Sequence, residues 1–213
     1  HSQFLDPSQS AMYAYQMRNK HSVESNVDSF RVSLDTDQGE QVHVHLRPGL
    51  LEFLERITTR YETHIFTAAM DVYANPVLDH LSSLISDSDI FAGRWYRDTC
   101  TFSETHQMFV KDLSKLPVSL NKTVLVDNNP VSFLPQPENG IWVNSFFTDS
   151  NDATLQAVEE ILDELAEHDD VRPHLAERFQ LEQQLQDFET LQTSKIRLEQ
   201  YHCLEEQVAV AAL

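Results

Sequence analysis

Two cysteines in 213 residues, Cys100 and Cys203, are too few and too far apart to staple a fold or to form a zinc site. Their scarcity points to a reducing compartment inside the cell, nuclear or cytoplasmic. Basic residues are also scarce: 15 Lys and Arg face 34 Asp and Glu, for a formal charge of −19. So acidic a chain is unsuited to general nucleic-acid binding, which rewards clustered Lys and Arg. Long apolar runs are missing, and none approaches the roughly 20 residues that a membrane-spanning helix requires. Residues 1–10 lack the basic, apolar and small-residue order of a signal peptide, although a chain that opens on His1 without a methionine leaves its targeting unread. No segment repeats elsewhere in the sequence.

What is present is enough for one main α/β domain and an appendage. Residues 151–213 hold 15 acids against 4 bases, whereas residues 1–150 hold 19 against 11. The first part is therefore where an anionic ligand is tolerated, in a local concentration of donors inside a repulsive overall field. Residues 1–27 are polar, contain Pro7 and keep no steady period, which predicts a loop or insertion. Phe30, Val32 and Leu34, then Val42, Val44 and Leu46, alternate around the turn residues Asp35 to Gly39 and predict a β-hairpin. Leu50, Phe53, Leu54, Ile57 and Tyr61 make a helical face behind Pro48, and the helix leads into the short strand THIFT. Val77, Leu81, Leu84 and Ile85 predict a second amphipathic helix.

RWYRDTCTFSETHQMFV reads as two extended runs about a polar break, another hairpin. TVLVD and IWVNSFF have the compact apolar pattern of strands buried on both faces of a parallel sheet. A helix bearing Leu155, Val158, Ile161, Leu162 and Leu165 follows, with Asn151 or Asp152 as its cap. Helices alternating with short buried strands predict a doubly wound parallel sheet decorated by β-hairpins. The composition divides the chain into the polar segment 1–27, the main domain 28–171 and an acidic helical extension 172–213. In that extension Leu181, Leu185, Phe188 and Leu191 form a short apolar seam that Gln192 and Lys195 interrupt. A helix docked on the body fits this pattern better than a coiled coil.

In open α/β sheets ligands bind beyond the carboxyl ends of the strands, so polar residues there are informative. THIFT ends on Thr67, TVLVDNN ends on Asp127 and Asn128, and Lys111 follows a third extended run. A hydroxyl that donates to a phosphate oxygen, an ammonium that neutralises developing charge, and a carboxylate and amide suited to Mg²⁺ make a phosphoryl site. Singly each has a plainer reading: Thr67 as a turn residue, Lys111 as a solvated lysine, and Asp127 to Pro130 as a turn.

Order and placement change that reading. HLRPGLLEFLERITTRYETHIFTAAMDVYANPVLDHL, then RWYRDTC, FVKDLSKL, VLVDNNP and SFFTDSNDATL, resemble the FCP/SCP-type phosphatases of the haloacid-dehalogenase superfamily. The resemblance runs from about Val42 to Leu181, and EHDDVRPHLAERFQL is similar to the end of the CTD small phosphatase-like protein 2 branch. It implies a haloacid-dehalogenase-like fold and a Mg²⁺-dependent protein serine/threonine phosphatase. Its substrate would be a phosphorylated protein or peptide, with the RNA polymerase II C-terminal-domain tail as the eponymous case. Thr67 would then bind phosphate, Lys111 would neutralise charge, and Asn128 would hold the metal with Asp127 supporting both. Arg97 matches a position that contacts phosphosubstrate, Tyr96 lines the same groove, and Arg94 is a weaker match. Where the family commonly has Ser-Trp-Phe, this chain has Ser145, Phe146 and Phe147.

Members of that family open with an apolar strand ending in Asp-x-Asp-x-Thr, whose first Asp attacks phosphorus and whose second protonates the leaving oxygen. Here the chain opens on His1 and Ser2, which resembles the segment that follows the motif. The expectation is a chain that starts just after its nucleophile strand and is inactive as it stands. Asp35 and Asp37 form a D-x-D, but their alternating flanks and Gly39 predict a hairpin turn. His43 and His45 share a strand face without a third ligand. The rival reading is a non-catalytic binding domain of the same fold, as in a mitochondrial translocase receptor; retention of the DNNP amide argues for the enzyme.

Overall fold

The computed structural model describes residues 27–34, 39–187 and 190. The segment 1–26, the turn residues 35–38 with their D-x-D, and the seam positions Phe188 and Leu191 lie outside the described residues, as does Cys203. Strands β1 (Ser29–Ser33) and β2 (Gln41–His45) pair antiparallel, with Phe30 opposite Val44 and Val32 opposite Val42. This is the pairing that the alternation predicts. Helix α1 (Leu50–Arg60) buries Phe53, Leu54 and Ile57. Gly49 enters it at φ 73°, where a side chain would be strained.

Strand β3 (His64–Phe66) runs parallel to β4 (Gly93–Trp95), and between them lies α2 (Asp71–Ile85). The buried face of α2 carries Leu78, Leu81 and Ser82, whereas Leu84 is 49% exposed. The expected face is therefore rotated: Leu78, Leu81 and Ile85 keep the three- and four-residue spacing that stays on one side of a helix. The aromatic run after α2 also divides differently from the sequence reading. Arg94 and Trp95 belong to the parallel ladder with β3, and only β5 (Thr101–Ser103) and β6 (Met108–Val110) form a hairpin. Strand β7 (Leu125–Asp127) pairs parallel with β8 (Gly140–Trp142).

Successive residues of these strands go to different apolar layers, as a two-residue period requires. Ile65, Val124 and Ile141 join a core built by α1, α2, α3 (Thr154–Leu165) and α4 (Arg172–Phe179) around Phe53, Leu78, Val158, Ile161 and Leu175. Phe66 and Leu125 join a second core with Leu113, Leu116, Phe133, Leu181 and Leu185. Residues 181–187 are helical, and the burial of Leu175, Leu181 and Leu185 carries the cores past residue 171. The amide of Thr154 at the start of α3 donates to Asp152 at 2.8 Å.

The helices and parallel pairs make a mixed α/β architecture, but the doubly wound sheet is not continuous among the described residues. Its parallel strands form two separate ladders, β3 with β4 and β7 with β8. Strand β7 is also not buried on both faces, because Val126 is 40% exposed. No helix among the described residues is long and apolar enough to cross a membrane.

Candidate phosphate and metal site

The carboxyl end of β7 builds the centre of the site. Asp127 is buried, and Leu125 beside it anchors the strand in the second core. One oxygen of Asp127, Oδ2, is paired with Lys111 Nζ, and the other, Oδ1, accepts the backbone N–H of Asn129 at 2.7 Å. The Lys111 and Asp127 side chains are 13% and 6% exposed, so the pair is largely withdrawn from water and each charge depends on the other. Lys111 is positioned just past β6, with its own N–H donating to the Ser132 carbonyl at 3.2 Å.

The local turn chemistry explains the DNNP segment. Asn129 caps a short 3-10 turn, Pro130–Phe133, by accepting from Val131 N–H at 3.1 Å, and Pro130 fills its first position, where no N–H is needed. The turn that follows β7 and the site are therefore one object. Asn128 is exposed at its start. Its Nδ2 donates to Ser145 Oγ at 2.9 Å, and its backbone carbonyl accepts from Trp142 Nε1 at 3.1 Å. With Nδ2 committed, Oδ1 is the amide atom left to accept a proton or a cation.

The second part of the site is the loop after β3. Thr67 N–H continues the parallel ladder to the Trp95 carbonyl at 2.9 Å, and its Oγ1 accepts from Ala69 N–H at 3.1 Å. That bond leaves the hydroxyl proton of Thr67 to donate elsewhere. Arg97 is held on the same loop: its N–H donates to Ala69 O at 3.0 Å and its Nε to Ala68 O at 2.6 Å. Tyr96 turns its hydroxyl away, toward Asn75 of α2, whose Oδ1 also receives Arg94 at 3.2 Å. Arg94 is further spent on Asp79 at 2.6 Å and Asp89 at 2.9 Å, so it holds α2 to β4.

Among the described residues no hydrogen bond joins the two parts, and Cys100 lies between them. Its thiol donates to the Thr67 carbonyl at 3.6 Å and the Tyr96 carbonyl at 3.7 Å, and it lies within electrostatic reach of Lys111 and Asp127. Burial pushes the thiol above its usual range, which keeps it neutral packing material. Sequence reasoning saw Cys100 only as an unpaired cysteine, and nothing local marks it as the floor of a site. Ser145 and Asn75 were also missed, since their partners lie 17 and 21 residues away.

Asp112, next to Lys111, organises the following turn. It accepts from Ser114 Oγ at 2.6 Å, Ser114 N at 3.0 Å and Gln136 Nε2 at 2.9 Å. Those bonds, the Ser114 hydroxyl first and then Gln136, hold its carboxyl below the ordinary aspartate range. A carboxyl depressed in the folded state contributes stability above its unfolded value, and the contribution is lost as pH falls through the folded value. The melting-temperature advantage of the natural chain over Asp112→Asn is therefore expected to shrink as pH drops below about 4. A constant gap across that range would show that the carboxylate charge is irrelevant.

Taken together, the residues offer an exposed amide, a buried carboxylate neutralised by a lysine, a hydroxyl and an arginine. Among the described residues no group of three or more His, Cys, Asp or Glu is placed to hold a metal ion.

The chain is similar to several known proteins. The family model for NLI interacting factor-like phosphatases matches residues 12–172. "CTD small phosphatase-like protein 2" of Dictyostelium discoideum is 38% identical over 143 residues, which are 67% of this chain and 24% of that protein. "Carboxy-terminal domain RNA polymerase II polypeptide A small phosphatase 2" of Mus musculus is 40% identical over 138 residues, 64% of this chain and 48% of that one. "CTD small phosphatase-like protein" of Homo sapiens is 38% identical over 148 residues, 69% of this chain and 51% of that one. The chain thus spans from about a quarter to about half the length of these relatives. A solved structure of fission yeast RNA polymerase II CTD phosphatase Fcp1 aligns with a TM-score of 0.43 and 23% identity, over 72% of this chain and 44% of that one. The family match, which reaches from ahead of β1 to the first residue of α4, makes this chain a member of the NLI interacting factor-like phosphatases.

Proposed function

We propose that the protein is a Mg²⁺-dependent protein serine/threonine phosphatase working through an aspartyl-phosphate. The observation that carries this reading is the buried Lys111–Asp127 pair at the end of β7 beside an amide whose orientation Ser145 fixes. The described donors suit the cation in kind: they are hard oxygens, and Mg²⁺ completes its shell with waters and substrate phosphate instead of a full protein cage. Asn128 Oδ1 would hold it, with Asp127 behind. When bound, Mg²⁺ polarises the phosphoryl oxygens and offsets their charge. Thr67 donates its hydroxyl to a phosphate oxygen, Lys111 balances charge that develops in transfer, and Arg97 meets the phosphosubstrate from the other side.

The attacking carboxylate belongs to Asp-x-Asp-x-Thr, a motif that does not occur in the 213 residues. In the proposed reaction its first Asp forms a bond to phosphorus as the serine or threonine oxygen leaves, and its second Asp gives that oxygen a proton. Water then cleaves the acyl phosphate. Two features support a further apolar strand carrying this motif. Each of β3 and β7 has one edge without a strand partner among the described residues, and Val126 is exposed in a run whose pattern suits burial. The substrate is a phosphorylated protein or peptide, with the C-terminal-domain tail of RNA polymerase II a candidate because relatives are named for it. Those names, all of phosphatases, do not favour a non-catalytic scaffold.

The test compares the 213-residue chain with the same chain extended ahead of His1 by an apolar strand ending in Asp-x-Asp-x-Thr. Negligible phosphate release from a phosphoserine peptide by the first and Mg²⁺-dependent release by the second are expected. Equal rates from both would overturn the assignment of the nucleophile.

A further inference from the structure

The hairpin of β5 and β6 presents an aromatic pair beside the phosphate site. Phe102 and Phe109 are opposite each other in the ladder, with ring centroids 5.3 Å apart in an edge arrangement. Lys111 follows the end of β6, two residues beyond Phe109. The Arg97 guanidinium lies 5.3 Å from the Phe109 centroid, while its Nε is fixed on the carbonyl next to Thr67. These contacts leave Phe109 half-buried and Phe102 42% exposed.

One exposed phenylalanine is ordinary on a protein surface. This one adjoins the candidate site: a cation covers its partner ring, and Lys111 directly follows the strand that carries that ring. In a chain of formal charge −19, Arg97 lies over the Phe109 ring, and Lys115 is held to the hairpin approach by its bond to the Thr99 carbonyl at 3.0 Å. Arg97 and Lys115 suit an anionic phosphopeptide, whereas Lys111 is already paired with Asp127. The hairpin also carries Glu104 at its tip and Asp98 before it, so the peptide side chain that meets Phe102 is apolar and not acidic.

We propose that Phe102, braced by Phe109 and Arg97, is a specificity-determining residue that receives an apolar side chain within three residues of the phosphorylated one. The inference rests on the phosphopeptide reading above. The experiment uses the full-length protein and phosphoserine peptides in which leucine replaces serine at each position from three before to three after the phosphoserine. At one position leucine is expected to raise kcat/KM by about five- to tenfold, the low end of what one apolar contact discriminates. Phe102→Ser should bring that ratio close to one, and Phe102→Leu, which keeps an apolar surface, should preserve most of it. An unchanged ratio in Phe102→Ser, or no leucine preference in the natural protein, overturns the proposal alone. Loss of a dimer in Phe102→Ser with unchanged selectivity would assign the patch to a second copy of the chain and also overturn it. If the natural protein releases phosphate from none of the peptides, the phosphopeptide reading fails first.

Discussion

Replacing Lys111 by methionine is expected to lower folding stability by about 3 kcal/mol, because it strips the counter-charge from a carboxylate held almost entirely out of water. Methionine keeps the length and apolar stem of the lysine, so lost packing contributes little. The second substitution, Asp127→Asn, separates charge from geometry. An amide at 127 still accepts from the Asn129 N–H and needs no cation. The Lys111→Met, Asp127→Asn double variant should therefore recover most of the loss, with a coupling of about 2 kcal/mol in the double-mutant cycle. Catalysis should not recover, because both the ammonium and the carboxylate are gone; a fall of at least about 10²-fold in kcat is expected for every variant lacking Lys111. Urea unfolding of the four proteins, and peptide turnover by each of them extended with the Asp-x-Asp-x-Thr strand, check both statements. Additive stability losses would mean that the pair is not coupled.

Phe133→Ala is expected to cost about 3 to 5 kcal/mol, a large share of the stability of any single domain. Phe133 is 1% exposed at the end of the turn that carries DNNP. It packs with Leu113, Leu125, Leu181 and Leu185, and a methyl group built on Gly140 would sit only 2.6 Å from its ring. A backbone seated that closely leaves no slack, so truncation opens a cavity that the surroundings cannot readily fill. The same substitution frees the turn beneath Asn128 and should raise the Mg²⁺ concentration needed for half-maximal turnover. A stability change under about 1 kcal/mol would show that the second core is not closed around this ring.

Much of this arrangement is legible in the residues themselves. The hairpin register follows from Phe30, Val32, Val42 and Val44, because one buried face fixes a two-residue period. Lys111 and Asp127 come together because the residue after β6 is bonded to the turn that follows β7, through the Lys111 N–H on the Ser132 carbonyl, although sequence places them 16 residues apart. What could not be read was set by neighbours distant in the chain. The rotated face of α2 depends on which side meets β1 and α1, and Val77 and Leu84 are as apolar as the residues that were buried. Arg94 and Arg97 lie three residues apart in one aromatic run, yet Asp79 and Asp89 take the first and the loop after Thr67 takes the second. Trp95 and Arg94 read as hairpin because a three-residue parallel strand leaves no periodic signal long enough to separate from the hairpin beside it.

Asn128, Lys111, Asp127 and Thr67 are the proposed metal and phosphate groups of a phosphatase. The most direct test of that assignment is phosphate release from a phosphoserine peptide by the full-length protein, titrated with Mg²⁺ and compared with Asn128→Ala. No release in excess chelator, saturable release with added Mg²⁺, and at least about a tenfold higher Mg²⁺ requirement when the Asn128 amide is removed are expected. Turnover that persists in chelator, or a Mg²⁺ titration that Asn128→Ala leaves unmoved, would contradict it.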